Sequence, residues 1–500
     1  MILNVGSKTL YAHQQAAVEW MLEREKDERY CGGFLCDEMG LGKTLSILGL
    51  LLNSPVLRTL ILGPLAVLDQ WRKACQDAGF AVSIMEKGEW KQLNGQSLQH
   101  HVYICNYEKI VFRPHAFKSL DFQRLICDEA HFLRNPKGKK SKRVRRIPIP
   151  KKWLLTGTPI VNGYKDLASL MSILDNKRRV YTHVNPVIAE EWMNKYALAR
   201  TTEQLKDVLG DLLPKPAVRI QHTMPFKTKE EAIFYRGIQG VLVANLQELM
   251  ESEHMDMKAF LTLLLRLRQI SVHPQVYIQS RKKISRGMYK RPDWTGDSTK
   301  IETMVDILQS ETESHNYVIF CNFREEMDLI HERLSKEASV HSVFDYNGQM
   351  SSAQRNECVQ QLEDAVLKNE KADDIRHTVL LVQIQCGGTG LNLQFMDRVI
   401  FTTPWWTAAL MDQAAGRVLR IGQKKQVVIH TISLKEEEEA SLNIDEYIQE
   451  RVVMKREICK AMIEAAKNYI SVDEVLEEIE WINEMENARV ADEERDVKHP

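Results

Sequence analysis

From Gly32 to Thr44 the chain reads Gly-Gly-Phe-Leu-Cys-Asp-Glu-Met-Gly-Leu-Gly-Lys-Thr. A short apolar run enters a glycine-containing loop that opens a helix, an arrangement suited to holding phosphate. Gly40 and Gly42 let the backbone curl so that its N–H groups converge on phosphate oxygens. The Lys43 amine can reach the β- and γ-phosphates, and the Thr44 hydroxyl can hold Mg2+. Asp37 stands where the strict pattern has glycine, so the loop is a variant; taken alone, a surface Gly-Lys turn is the other reading. Asp37, Glu38, Met39, Gly40, Leu41, Gly42, Lys43 and Thr44 are the candidate nucleotide-binding residues.

Two further clusters complete such a site. Leu125-Ile126-Cys127-Asp128-Glu129-Ala130-His131 places two carboxylates at the end of an apolar strand, where open α/β sheets present their ligands. Asp128 suits the Mg2+ shell beside Thr44, and Glu129 can orient and deprotonate an attacking water. Much later, in 413–423, Gln413 is followed by Arg417 and Arg420, two arginines three apart on one side of an expected helix. They suit bidentate neutralisation of a γ-phosphate in the transition state; a surface salt-bridge pair is the alternative. Lys43, Asp128, Glu129, Gln413, Arg417 and Arg420 are thus the catalytic candidates.

The elements that must position these residues follow from texture. Five hundred residues exceed one hydrophobic core. Short β-branched runs at 59–62, 102–105, 125–127 and 153–155 alternate with helical stretches, and the same texture returns at 317–321, 379–382, 399–402 and 427–432. The organisation expected is an ATP-binding lobe (1–165), a helical middle (166–279), a basic linker (280–299), a second α/β lobe (300–440), C-terminal helices (441–470) and an acidic tail (471–500). The apolar stretch 45–68 is broken by Asn53, Ser54, Pro55 and Arg58, so it reads as a buried helix and strand rather than a membrane span. No charged-then-apolar leader precedes Gln15, so secretion is not expected. The nine cysteines lack the second close pair that a zinc module needs.

The order of these motifs resembles that of the superfamily 2 helicase-like ATPases, and specifically the Swi/Snf-type DNA translocases, over roughly residues 8 to 465. Leu10-Tyr11-Ala12-His13-Gln14 is similar to the adenine-reading Q motif, which implies Gln14 as a purine contact. Leu62-Gly63-Pro64-Leu65 with Gln70-Trp71 resembles motif Ia, and Asn106-Tyr107-Glu108 resembles Ib with Asn for Thr. Asp128-Glu129-Ala130-His131 is similar to motif II, and Leu155-Thr156-Gly157-Thr158-Pro159-Ile160 to motif III. The block from Leu264 to Pro274 is typical of the Swi/Snf type. Ile319-Phe320-Cys321-Asn322-Phe323 resembles motif IV and 387–393 motif V. Where the family reads Asp-Arg-Ala-His-Arg at motif VI, this chain has Gly416-Arg417-Val418-Leu419-Arg420; both arginines are kept. Pro404-Trp405-Trp406 is similar to the lodestar-like and RING-bearing repair subgroup, without cysteines for a RING.

The resemblance implies two RecA-like parallel-sheet lobes with helical protrusions between them and a C-terminal helical segment. It implies an ATP- and Mg2+-dependent motor on double-stranded DNA, sequence-independent, that remodels or displaces bound protein: a nucleosome, a polymerase or another. A strand-separating helicase and a non-hydrolysing nucleotide-gated scaffold are the rivals. Implied nucleic-acid contacts are Pro64, Trp71, Asn106, Tyr107, Thr158, Asn322, Gly388 and Trp406, and implied coupling residues are His131, Thr156 and Gly390. Chromatin, transcription or repair machinery would be the partner, in a nucleus, or in a viral factory or host compartment if the chain is viral. Trp71, Trp405 and Trp406 can stack on a strand or lie in a core. The stretch 137–146, with seven basic residues in ten, reads as a solvated loop, a phosphate-tracking patch or a localisation signal. A formal charge of −1 hides a tail of net −8 on a body of net +7, and the tail reads as a solvating end or a DNA mimic.

Overall fold

The computed structural model describes residues 2–450 apart from 95–99, 118–119, 158–163, 182–183, 252–256, 287, 370–373, 385–390, 407 and 436–442. A hairpin of β1 (Asn4–Val5) and β2 (Lys8–Thr9) precedes the first helix, Ala12–Arg24. An eight-stranded sheet follows from β3 (Gly32–Leu35), β4 (Arg58–Gly63), β5 (Ala81–Glu86), β6 (Glu89–Asn94), β7 (His101–Asn106), β8 (Arg124–Cys127), β9 (Lys151–Leu155) and β10 (Ala197–Leu198), in the order β10-β3-β9-β8-β4-β7-β5-β6. A second sheet of six comprises β11 (Val218–Met224), β12 (Asn316–Cys321), β13 (Val340–Tyr346), β14 (His377–Gln383), β15 (Arg398–Phe401) and β16 (Val428–Leu434), ordered β11-β16-β15-β12-β14-β13. Only β1–β2 and β5–β6 pair antiparallel among the described residues.

Parallel strands reached through helical crossovers are covered on both faces, which is why their sequences run continuously apolar. Leu60 and Leu62 pack on one side of the first sheet with Phe34, Leu125 and Leu154, while Ile61 packs on the other with Leu35, Ile126 and Leu155. The second sheet divides Val318 and Phe320 from Tyr317, Ile319 and Cys321 in the same two-residue rhythm. At the N-terminal ends of β8 and β9 a buried carboxylate pins the sheet. Glu25 accepts from Arg124 Nε at 2.7 Å and Nη2 at 2.6 Å, from Lys151 Nζ at 2.7 Å and from Trp153 Nε1 at 3.1 Å.

The expected helical middle is more divided than its texture implied. Helices Tyr164–Leu174 and Pro186–Tyr196 pack into the core of the first sheet through Leu167, Leu170, Met171, Leu174 and Tyr196. The strands β10 and β11 then join the edges of the first and second sheets respectively. Two residues of β10 carry no periodicity, and β11 is exposed along most of its length, so tertiary pairing alone defines both. The long helices Lys229–Glu251 and Met257–Val272 follow, and His273 caps the next, Pro274–Ile284, with proline at its first position. Within the expected 280–299 linker, Tyr289 and Trp294 pack against Phe234, Tyr277 and Ile278. Residues 444–450 are helical, and buried Asp445 fastens them. It is ion-paired to Lys300 at 2.6 Å and accepts from Ser271 Oγ at 3.0 Å and Leu434 N at 2.9 Å. The rest of the expected C-terminal helices and the acidic tail lie outside the described residues.

Candidate active site

Strands β3, β9 and β8 are neighbours, so their C-terminal ends deliver the phosphate loop, Thr156-Gly157 and Asp128-Glu129 side by side. The helix Lys43–Asn53 starts directly from Gly42, which is left-handed at φ 81°, and Gly40 is left-handed at φ 91°. That left-handed backbone favours glycine at 42, and a methyl group there would also lie 2.3 Å from Gln14 Nε2. Gln14 is buried: its Nε2 donates to the Leu41 carbonyl at 3.1 Å, its Oε1 accepts from Tyr11 N at 3.0 Å, and His13 Nε2 lies 2.8 Å from the same Leu41 oxygen. The helix Ala12–Arg24 thus braces the loop through His13 and Gln14. Lys43 Nζ donates to the Asp37 carbonyl at 2.7 Å, and Met39 lies against Gly157.

Asp128 is held rigidly. Its Oδ2 accepts from Trp71 Nε1 at 2.7 Å, its Oδ1 from Glu129 N at 2.9 Å, and its carbonyl from Tyr107 OH at 2.6 Å. Glu129 takes the left-handed conformation (φ 48°), uncommon for a side-chain-bearing residue. Its Oε2 lies 3.3 Å from His131 Nδ1. Burial raises the Asp128 carboxyl and the Glu129 charge raises it further. For Glu129, burial is outweighed by His131, Arg417 and Lys43, which hold it ionised. A buried carboxylate under this pressure, with the Thr44 hydroxyl at the start of the neighbouring helix, is a donor set that fits a hard divalent cation.

The arginines do not sit on a helix, contrary to the spacing. The helix Ala408–Ala415 stops before them, and Arg417 and Arg420 follow in successive turns closed by Arg417 N to Ala414 O and Gln423 N to Arg420 O. The reason is close packing. A methyl on Gly416 would lie 3.3 Å from Met39 Cβ, and one on Gly40 would lie 3.0 Å from the Leu419 carbonyl, so this turn is pressed onto the phosphate loop. Buried Arg417 brings Nη2 to 3.7 Å from Glu129 Oε1, and Arg420 Nε donates to the Gly416 carbonyl at 3.2 Å. Burial lowers both guanidinium groups; Glu129 and Asp128 partly offset it at Arg417, and the Arg417 charge lowers Arg420 further. Gln413 is buried in the last turn of the helix Ala408–Ala415. Loop and turn share an apolar seal in which Leu41 packs with Leu205, Leu209, Leu213 and Ile421.

Several residues expected to contact nucleic acid are buried. Trp71 is 1% exposed and spends its N–H on Asp128; Tyr107 is 1% exposed and spends its hydroxyl on the Asp128 carbonyl. Both support the carboxylate instead of facing a strand. Trp405 and Trp406 are buried too, with the Arg268 guanidinium 4.5 Å above the Trp405 ring. Pro64 and Asn106 are half-buried on adjacent strand ends, Gly63 pairing with Asn106, and the Asn106 side chain caps the helix Tyr107–Phe112. Half-buried Asn322 donates through Nδ2 to Thr403 Oγ1 across the ends of β12 and β15. Thr156 is buried at the end of β9. Thr158, Gly388 and Gly390 lie outside the described residues. The basic stretch is a short helix, Lys139–Arg145, with Ser141 and Val144 inward and Lys137, Lys139, Lys142, Arg143 and Arg146 exposed.

Two contacts had no sequence signal. Arg200 grips Asp37 with Nε to Oδ1 at 2.9 Å and Nη2 to Oδ2 at 2.5 Å, and Thr202 donates to Glu38 Oε2 through N at 2.5 Å and Oγ1 at 2.8 Å. Neither belongs to a motif. The one available hint was Asp37 itself, an acid in a loop built to meet anions.

This is the site of a two-lobed P-loop ATPase, with the phosphate loop and carboxylates on one sheet and the arginines on the other. The SNF2-related domain family matches residues 13–276, more than half of the chain, and the helicase conserved C-terminal domain matches residues 299–422. The chain belongs to the SNF2-related family of superfamily 2 ATPases. It is 25% identical over 479 residues to the "Probable global transactivator" of Orgyia pseudotsugata multicapsid polyhedrosis virus, covering 89% of this chain and 90% of the relative. It is 25% identical over 491 residues to the Danio rerio chromodomain-helicase-DNA-binding protein 1-like, covering 93% of this chain but only 45% of that one. The Sulfolobus solfataricus SWI2/SNF2 ATPase core domain is 24% identical, over 97% of this chain and 94% of that one, with a TM-score of 0.40. Among the described residues no helix is long and apolar enough to cross a membrane, and no group of three or more His, Cys, Asp or Glu is placed to hold a metal ion.

Proposed function

We propose that this chain is a DNA-stimulated ATPase that moves along double-stranded DNA without reading its sequence and displaces protein bound there. The observation that carries it is Arg417 of the second lobe lying 3.7 Å from Glu129 of the first, above the phosphate loop. A site completed from two lobes hydrolyses only when they close, so each turnover is tied to a relative movement of the lobes.

In this reading the N–H groups of 40–44 and the Lys43 amine hold the phosphates, and Gln14 meets the purine. Thr44 and Asp128 would hold Mg2+, which when bound neutralises phosphate charge. Glu129 orients the attacking water and takes its proton. Arg417 and Arg420 stabilise the charge that develops on the γ-phosphate. Trp71 and Tyr107 keep Asp128 in one orientation. Pro64, Asn106, Asn322 and the exposed face of Lys139–Arg145 meet backbone phosphates, a contact that carries no sequence information. A nucleus or a virus-infected cell is the setting that the relatives suggest.

The test is ATP hydrolysis with and without duplex, joined to triplex displacement and to unwinding of a forked duplex. Duplex-stimulated hydrolysis, with the third strand displaced and the fork intact, is expected. Hydrolysis indifferent to duplex would overturn the proposal, and an unwound fork would make the protein a strand-separating helicase.

A further inference from the structure

Asp37 is the one residue of the phosphate loop that departs from the strict pattern, and it is 1% exposed. An acid buried next to a phosphate site needs a counter-charge, and Arg200 supplies it as a two-pronged pair at 2.9 and 2.5 Å. The third prong of the same guanidinium, Nη1, donates to the His13 carbonyl at 2.7 Å. One side chain therefore fastens the phosphate loop to the helix that carries Gln14.

The backbone does the same around it. Cys36 N donates to the Leu198 carbonyl at 2.7 Å and Glu38 N to the Arg200 carbonyl at 2.8 Å, continuing the β3–β10 ladder into the loop. Thr202 then holds Glu38. The Asp37 carbonyl is also the acceptor on which the Lys43 amine rests at 2.7 Å. The side chain that Arg200 grips and the oxygen that parks the phosphate-binding lysine thus belong to one residue. Beyond Thr202 the same segment supplies Leu205, Leu209 and Leu213 to the seal over Leu41 and Ile421.

We infer that Arg200, outside the recognised motifs, is a positioning residue that sets the nucleotide affinity of the phosphate loop by fixing Asp37 and, through its carbonyl, the resting place of Lys43. The inference rests on the reading of 32–44 as the ATP site, and it is tested separately from that reading.

Wild-type protein and Lys43→Ala are compared first for hydrolysis and for binding of a fluorescent ADP; equal behaviour of those two would remove the ATP site itself. Given a wild type that binds and a Lys43→Ala that does not, Arg200→Gln should raise the ATP KM and the ADP Kd at least about tenfold, the size expected on breaking a buried, hydrogen-bonded charge pair. Its kcat at saturating ATP should fall far less than its KM rises. Arg200→Lys keeps the charge but loses the fork and should recover only part of the affinity. Asp37→Asn combined with Arg200→Gln should bind no more weakly than Arg200→Gln alone, because the two act through one contact. A wild-type Kd in both Arg200 variants, a loss confined to kcat, or additive losses in the double variant would overturn the inference. If Arg200→Gln does not fold, Arg200→Lys and Asp37→Asn decide it by the same Kd measurement.

Discussion

Arg417 Nη2 lies 3.7 Å from Glu129 Oε1, although one follows a helix of the second lobe and the other ends a strand of the first. The contact joins a residue held in a left-handed backbone to one pressed onto the phosphate loop by a glycine turn. A carboxylate and a guanidinium thus share one small volume only because the two lobes meet there.

Glu129→Gln keeps the side chain's size and removes its basicity. Nucleotide binding should persist while turnover falls about 10²–10⁴-fold, the usual contribution of a positioned general base. Single-turnover hydrolysis beside fluorescent-nucleotide binding measures both, and wild-type turnover would take Glu129 out of that role.

Arg417→Ala should lower kcat by about 10³-fold or more, as loss of an arginine finger does. The ATP KM should move much less, since the arginine acts mainly on charge that develops during the reaction. Steady-state kinetics at saturating duplex distinguish this from a ground-state contact, which would change KM alone.

Trp71→Phe keeps an aromatic ring in the buried position but deletes the donor to Asp128 Oδ2 together with part of the indole's volume. Loss of a hydrogen bond to a charged group should cost about 1.5–3 kcal/mol of stability and the vacated volume should add to it, read by urea unfolding, with hydrolysis impaired. Duplex affinity should be unchanged. Weaker duplex binding with intact hydrolysis would return Trp71 to a DNA-facing role.

At the far end of the first sheet, burial would raise the Glu25 carboxyl, but Arg124, Lys151 and Trp153 outweigh it and bring it to about 2, against 4.5 for the ordinary group. The folded value is the lower one, so the contribution is fully present above the ordinary value and lost as pH falls towards 2. Unfolding free energy should therefore decline between those limits, and Glu25→Gln should flatten that decline. The substitution should itself cost about 3–5 kcal/mol by leaving Arg124 buried without its partner.

Much of this was legible in the chain because chemistry and periodicity coincide. Lys43, Asp128 and the pair Arg417 and Arg420 stand in spacings that few unrelated sequences share, and strands buried on both faces announce themselves as apolar runs. The inner support was not legible. Trp71 and Tyr107 sit in motifs, yet which way a side chain faces depends on packing that no local pattern encodes. Arg200 acts on Asp37 from far along the chain, and β10 and β11 are strands only because a neighbouring edge accepts them. The helix expected under Arg417 and Arg420 gave way to turns because the phosphate loop presses against Gly416.

The pairing of β11 with β16 bears on how the protein is made. Val218 lies opposite Val428, 210 residues later, so the edge strand of the second sheet is synthesised long before β16, its one partner among the described residues. Pairing over that distance carries a large loop-closure cost and belongs to the late, slow part of folding. Until then β11 travels as an exposed strand, open to other chains. A fragment begun at residue 299, where the C-terminal helicase domain match starts, would have the opposite defect: β16 would be left with a bare edge. The two lobes are accordingly a poor pair to express apart, and a recombinant second lobe should begin ahead of Val218.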